Sequence, residues 1–171
     1  MLGFAIILLF CAMVLIWLGR RIRQQAGLPD GRVVYADTFG WNRVRRPLFS
    51  VRLCLSGKPD YLVRRGHCYV PVEVKSGALP PGGSYRSHQL QLAAYCALVE
   101  EHFGARPTHG LIKYDDGVYT VEYSQELEQV LIDTLGCMRA DLVALEVARS
   151  HRAVGRCRGC GYRADCTQCL A

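Results

Sequence analysis

The sequence predicts an α/β (α+β) protein: a mixed central sheet flanked by helices and preceded by one apolar amino-terminal helix. Three observations carry this. Short β-patterned runs separated by turn residues fill much of residues 33–75. Two longer segments, 86–103 and the one after Ser124, show helical spacing, with a hairpin pattern between them. Residues 2–18 form an uncharged apolar run of seventeen. The order strands, helix, hairpin, helix suits a sheet with helices packed on it.

The apolar run, LGFAIILLFCAMVLIWL, rises about 26 Å as a helix, close to the ~30 Å of a bilayer core. Arg20, Arg21 and Arg23 can snorkel, and Trp17 sits where an interfacial aromatic is expected. A cleaved signal peptide would carry its positive charge before the apolar core, whereas here GRRIRQQ follows it. The expectation is a transmembrane anchor over 1–19, single-pass in the inner or plasma membrane, with the remaining chain cytoplasmic by the positive-inside rule. Residues 20–32 are then a juxtamembrane linker and 33–171 one globular domain. At 171 residues and 50% hydrophobic content the chain is neither disordered nor collagen-like, and no internal repeat is present.

Along the domain, residues 33–36 read as a strand. Residues 37–47 (DTFGWNRVRRP) read as a loop with Arg43, Arg45 and Arg46. Residues 48–55 alternate as one strand, broken at Ser56 and Gly57. Residues 60–63 and 68–75 are the next two strands, with Arg64, Arg65 and Gly66 turning between them. Pro80, Pro81, Gly82 and Gly83 mark a loop. A helix over 86–103 stops at Gly104. Residues 109–114 and 118–123 flank Asp115, Asp116 and Gly117 as a hairpin. Ser124 then caps a helix whose Leu127, Val130, Leu131, Thr134, Leu135, Met138, Leu142 and Leu145 follow helical spacing.

The chemistry concentrates in GKPDYLVRRGHCYVPVEVK, residues 57–75. Alternation puts Glu73 and Lys75 on one strand face and Val70, Val72 and Val74 on the other. If the two strands of this stretch pair as a hairpin, Asp60 approaches Glu73. Two carboxylates beside an ammonium suit a hard cation, Mg²⁺ or Mn²⁺, with positions left for water and phosphate. On the next helix His88, Gln91 and Tyr95 share one face. Gln91 can bond a carboxylate or a water, and Tyr95 can donate to a phosphate.

The pattern PD, twelve residues, EVK, then HQLQLAAY resembles the PD-(D/E)XK nuclease superfamily. More narrowly it resembles the RecB-like exonucleases with a carboxyl-terminal cysteine cluster, as in the CRISPR-associated family of that type. The resemblance implies a restriction-endonuclease-like core and metal-dependent hydrolysis of DNA phosphodiesters, often from single-stranded or free ends. It implies Asp60 and Glu73 as metal ligands, with Asp60, Glu73, Lys75, Gln91 and Tyr95 forming the catalytic set. The alternative is a catalytically degenerate nuclease fold that binds nucleic acid or serves as a scaffold at the membrane.

Four of the nine cysteines fall in the last fifteen residues, as Cys157, Cys160, Cys166 and Cys169. The spacing C-x2-C-x5-C-x2-C suits thiolate ligation, of zinc or of an iron–sulfur cluster. The resembled family holds a four-iron four-sulfur cluster with cysteines spaced like Cys157, Cys160 and Cys166. An iron–sulfur cluster over 157–169 is the expectation, Zn²⁺ the alternative, and Cys169 the local fourth ligand. Cys68, Cys96 and Cys137 sit among apolar neighbours and read as small core residues. A net charge of +6, with arginines dense after Arg139, suits a phosphate-rich partner.

Overall fold

The computed structural model describes residues 2–25, 32–36 and 47–170. The expected loop with Arg43, Arg45 and Arg46, and residues 26–31 of the expected linker, lie outside the described residues. The elements in chain order are α1 (Leu2–Gln25), β1 (Arg32–Ala36), β2 (Leu48–Ser50), β3 (Leu55–Gly57), β4 (Tyr61–Arg65) and β5 (Cys68–Val74). There follow α2 (Arg86–Phe103), β6 (His109–Lys113), β7 (Val118–Glu122), α3 (Gln125–Val143) and α4 (Val154–Arg158). The chain divides into two compact units, Met1–Ile132 and Asp133–Ala171.

A five-stranded sheet in the order β1-β4-β5-β6-β7 organises the first unit. The pairs β1/β4, β4/β5 and β6/β7 are antiparallel, while β5 and β6 run parallel, so the sheet is mixed as expected. A parallel pair needs a crossover, and α2 supplies it. Leu62, Ile112, Tyr114 and Val121 from the sheet pack with Leu92, Tyr95, Leu98 and Val99 of α2. Val63, Val70, Val72 and Leu111 form a second cluster on the alternate side-chain positions.

Close glycine contacts set how near α2 lies. A Cβ on Gly110 would stand 2.7 Å from Leu92 Cγ, and one on Gly57 would stand 2.8 Å from Leu98 Cδ1 and 3.0 Å from Tyr95 Cε1. The helix ends at Gly104, which is left-handed (φ 66°) and donates its N–H to Glu100 O. Ser124 caps α3 as expected, with Leu127 N–H donating to Ser124 Oγ at 3.2 Å. Two aspartates of the β6–β7 turn pin the loop after Lys75. Gly77 N–H donates to Asp115 Oδ2 and Leu79 N–H to Asp116 Oδ1, each at 2.7 Å.

Several expectations are corrected. Residues 48–55 are not one strand but a separate small hairpin, β2 with β3, turned at 51–54. Glu101 of α2 organises that turn by accepting from Ser50 Oγ (2.5 Å) and Val51 N–H (3.0 Å). Cys54 takes a left-handed conformation, φ 39°. Such a long-range clamp leaves no periodicity in the strand sequence. Cys96 is buried as expected and burial pushes its thiol up to about 12, but Cys68 and Cys137 are exposed. Of the apolar positions expected on α3, only Leu131 is buried.

The membrane expectation is also overturned. Among the described residues, no helix is long and apolar enough to cross a membrane. α1 continues to Gln25, past the expected boundary at residue 19. The assignment of a single-pass transmembrane anchor therefore does not stand.

Gly110→Ala tests the close seat of α2. It is expected to destabilise the protein by about 1–3 kcal/mol through overpacking against Leu92, read as a lowered midpoint in chemical unfolding. An unchanged midpoint would contradict the contact.

Candidate functional site

The hairpin of β4 and β5 brings the first two residues together. Tyr61 pairs with Val72, so Asp60, one residue earlier, lies level with Glu73. Asp60 Oδ2 accepts the N–H of Val74 at 2.7 Å, which fixes its carboxylate beside the end of β5. The parallel pairing with β6 continues one residue past the strand, where Lys75 N–H donates to Lys113 O at 2.8 Å. Glu73 and Lys75 thereby take the same face, the one that α2 covers.

Gln91 joins them. Lys75 Nζ donates to Glu73 Oε1 and to Gln91 Oε1, both at 2.8 Å. Gln91 Nε2 donates to Glu73 Oε1 at 2.8 Å and to Tyr95 Oη at 2.9 Å. Because its oxygen receives the ammonium, the Gln91 amide has one orientation, and its N–H groups face the carboxylate and the phenol. Lys75 spends two of its three donors within this triangle. The Glu73–Lys75 ion pair is largely shielded, with side chains 8% and 23% exposed, so water screens it less than a surface pair.

Tyr95 shares the helix face of Gln91 but is covered. It is 8% exposed and belongs to the apolar core, with only its hydroxyl reaching the network. Burial raises its pKa, against the lowering effect of the Gln91 bond. It therefore presents a neutral hydroxyl that holds Gln91. The structure thus brings Asp60, Glu73, Lys75, Gln91 and Tyr95 to one place.

The electrostatics of Glu73 single it out. Burial raises its pKa most, the Lys75 hydrogen bond opposes this, and the Asp60 charge raises it further. Its Oε2 is buried and has no hydrogen-bond partner among the described residues. A buried carboxylate oxygen left bare is costly. A hard divalent cation held between Glu73 and Asp60 would satisfy this oxygen and offset both charges, so these residues fit Mg²⁺ or Mn²⁺. Two carboxylates with open positions suit Mg²⁺, which keeps several waters and takes phosphate oxygens as further ligands. Among the described residues no group of three or more His, Cys, Asp and Glu side chains comes together to hold a metal.

Sequence reasoning placed His88 on this helix face but gave it no role, and it missed Ser84 and Tyr114. Tyr114 Oη lies 2.8 Å from both Ser84 Oγ and His88 Nδ1. Its inward direction follows from Ile112 two residues earlier, a signal that alternation in β6 carries.

In the second unit, Cys157, Cys160, Cys166 and Cys169 line one cavity of about 260 Å³ with Arg149 and Arg163. Each C-x2-C pair closes a tight turn, Cys160 N–H donating to Cys157 O and Cys169 N–H to Cys166 O. Cys157 is buried, and its sulfur accepts the N–H of Leu170 at 3.4 Å. All four are free thiols, and they are not gathered closely enough to form a ready metal site. The donors are chemically apt for a soft metal, but their spacing does not fit one as it stands.

The family described as the PD-(D/E)XK nuclease superfamily matches residues 9–167. No curated protein matches the chain. Among solved structures, the crystal structure of SSO0001 is similar, at 21% identity and a TM-score of 0.49. The match covers 68% of this chain and 52% of that one, so the chain spans about half the length of that structure.

The bare, buried carboxylate gives a pH prediction. A group whose folded pKa is raised contributes stability below its ordinary value, 4.5 here, and loses it as pH rises through the folded value. In chelator, Glu73→Gln is therefore expected to melt higher than the parent near neutral pH, with the difference closing below 4.5. A variant that melts lower at neutral pH would contradict the burial cost assigned to this carboxylate.

Proposed function

Since the chain belongs to the PD-(D/E)XK nuclease superfamily, we propose that it is a divalent-metal-dependent deoxyribonuclease of RecB-like exonuclease type. The superfamily implies a nucleic-acid substrate, and single-stranded DNA or DNA with free ends is the substrate this reading assigns. The observation that carries it is the Glu73–Lys75–Gln91 triangle beside a buried Glu73 Oε2 that has no partner among the described residues.

In this reading Asp60 and Glu73 hold Mg²⁺ or Mn²⁺. When bound, such an ion lowers the pKa of water and offsets charge on phosphoryl oxygens. Lys75 has one donor beyond its bonds to Glu73 and Gln91, and it directs that donor at the attacking water or the scissile phosphate. Gln91 holds the ammonium and the carboxylate in register, and Tyr95 holds Gln91 from the core. Hydrolysis forms a bond from water oxygen to phosphorus and breaks the bond to the leaving sugar oxygen. The backbone loop after Lys75, pinned by Asp115 and Asp116, keeps the ammonium at the end of β5.

The full chain, purified without oxygen, tests this with end-labelled single-stranded DNA and Mn²⁺. Lys75→Ala and Glu73→Ala are each expected to lower the cleavage rate by at least about 10²-fold. Equal cleavage by all three proteins, or none by any, would contradict the nuclease reading.

We also infer that the four cysteines of 157–169 serve a thiolate-bound group, an iron–sulfur cluster ahead of Zn²⁺. The support is their shared cavity and soft donor set; the sulfurs would have to draw together around the group. Metal and acid-labile sulfide analysis of the anaerobically purified protein is expected to find iron and sulfide together. Zinc alone selects the alternative, and neither metal would remove the site.

A further inference from the structure

We propose that Tyr85 and His88, at the start of α2, form a nucleotide subsite beside the catalytic triangle, in which Tyr85 stacks a base and His88 donates to a backbone phosphate. The inference rests on the nucleic-acid substrate proposed above, and it adds two residues and a recognition mode to that reading.

Tyr85 occupies the N-cap of α2. Caps favour Ser, Thr, Asp or Asn, whose side-chain oxygen takes an orphan N–H. Tyr85 supplies no such bond, and only its backbone carbonyl serves the helix, accepting from His88 and Gln89 N–H. Its ring is 60% exposed, so neither the core nor the cap accounts for it. The ring meets His88 edge-on, with centroids 5.3 Å apart, which leaves a π-face available to a base. Base–aromatic stacking is a general, sequence-tolerant way to hold single strands.

His88 lies one helical turn before Gln91, on the same face of α2. Its Nδ1 is 2.8 Å from Tyr114 Oη, and that hydroxyl is 2.8 Å from Ser84 Oγ. Ser84 and Tyr114 are both buried. Ser84 Oγ also donates to the Tyr85 carbonyl, at 3.5 Å. Ser84 Oγ, Tyr114 Oη and His88 Nδ1 thus form one hydrogen-bonded chain that holds the imidazole ring through Nδ1. Burial and then the Lys75 charge lower the pKa of His88, in keeping with a neutral ring. Held through Nδ1 and lying on α2 between Tyr85 and Gln91, His88 has Nε2 left to meet the phosphate of a nucleotide next to the scissile one.

The test reads binding and cleavage separately. Fluorescence anisotropy of the full chain in chelator uses a labelled oligothymidine strand of about 20 nucleotides and a base-free strand with the same phosphates. Tyr85→Ala is expected to weaken binding of the thymidine strand about tenfold and leave the base-free strand unchanged, while Tyr85→Phe binds like the parent. His88→Ala is expected to weaken both strands, with partial rescue by His88→Gln, whose amide N–H stands near the Nε2 position. Parent-like binding by Tyr85→Ala, equal loss on both strands, or no binding by the parent chain would each overturn the subsite. In Mn²⁺ the same variants should raise KM more than they lower kcat. Absent cleavage with the binding pattern intact would count against the nuclease reading and leave the subsite standing.

Discussion

A carboxylate buried with one oxygen unsatisfied is the constraint from which the rest of the site follows. Glu73 lies on the covered face of β5, and burial raises its pKa. Such a group persists only where opposing charge and hydrogen bonds support it. Lys75 and Gln91 both bond Oε1, and Oε2 has no partner among the described residues. Asp60, clamped to the neighbouring backbone amide, adds a second negative charge where a core would ordinarily avoid one.

The fold serves that constraint. Parallel pairing of β5 and β6 requires the crossover that α2 provides, and α2 carries Gln91 and Tyr95 onto the end of β5. Gly57 and Gly110 allow the helix to approach closely enough for a glutamine to span from lysine to glutamate. Glu101, at the far end of α2, holds the β2–β3 hairpin, while Ser84 and Tyr114 hold the near end. The helix is thus fixed at both ends and along its middle, as a site needing sub-ångström placement requires.

Much of this was legible in the sequence. The bounds of α2 matched because its signals are local, a left-handed glycine after the last turn and an apolar face between. The hairpin that joins Asp60 to Glu73 was legible because alternation and a glycine turn encode it. Residues 48–55 were misread because their break depends on Glu101, some fifty residues away. Tyr95 was expected on one face with His88 and Gln91, but its burial in the core was not legible, since spacing gives a helix face and not what covers it. The apolar run at the amino terminus was read as a span, yet among the described residues no helix meets the length and apolarity for one. Spacing of cysteines likewise gave their neighbourhood, one cavity, but not the convergence of their sulfurs.

The account turns on whether the open side of Glu73 is a cation site shared with Asp60. Electron paramagnetic resonance of free Mn²⁺, titrated with the full chain and with Asp60→Asn, measures this directly. The account predicts that the parent removes Mn²⁺ from solution saturably and that Asp60→Asn does so at least about tenfold more weakly. Equal uptake by the two proteins, or no saturable uptake by the parent, would contradict it.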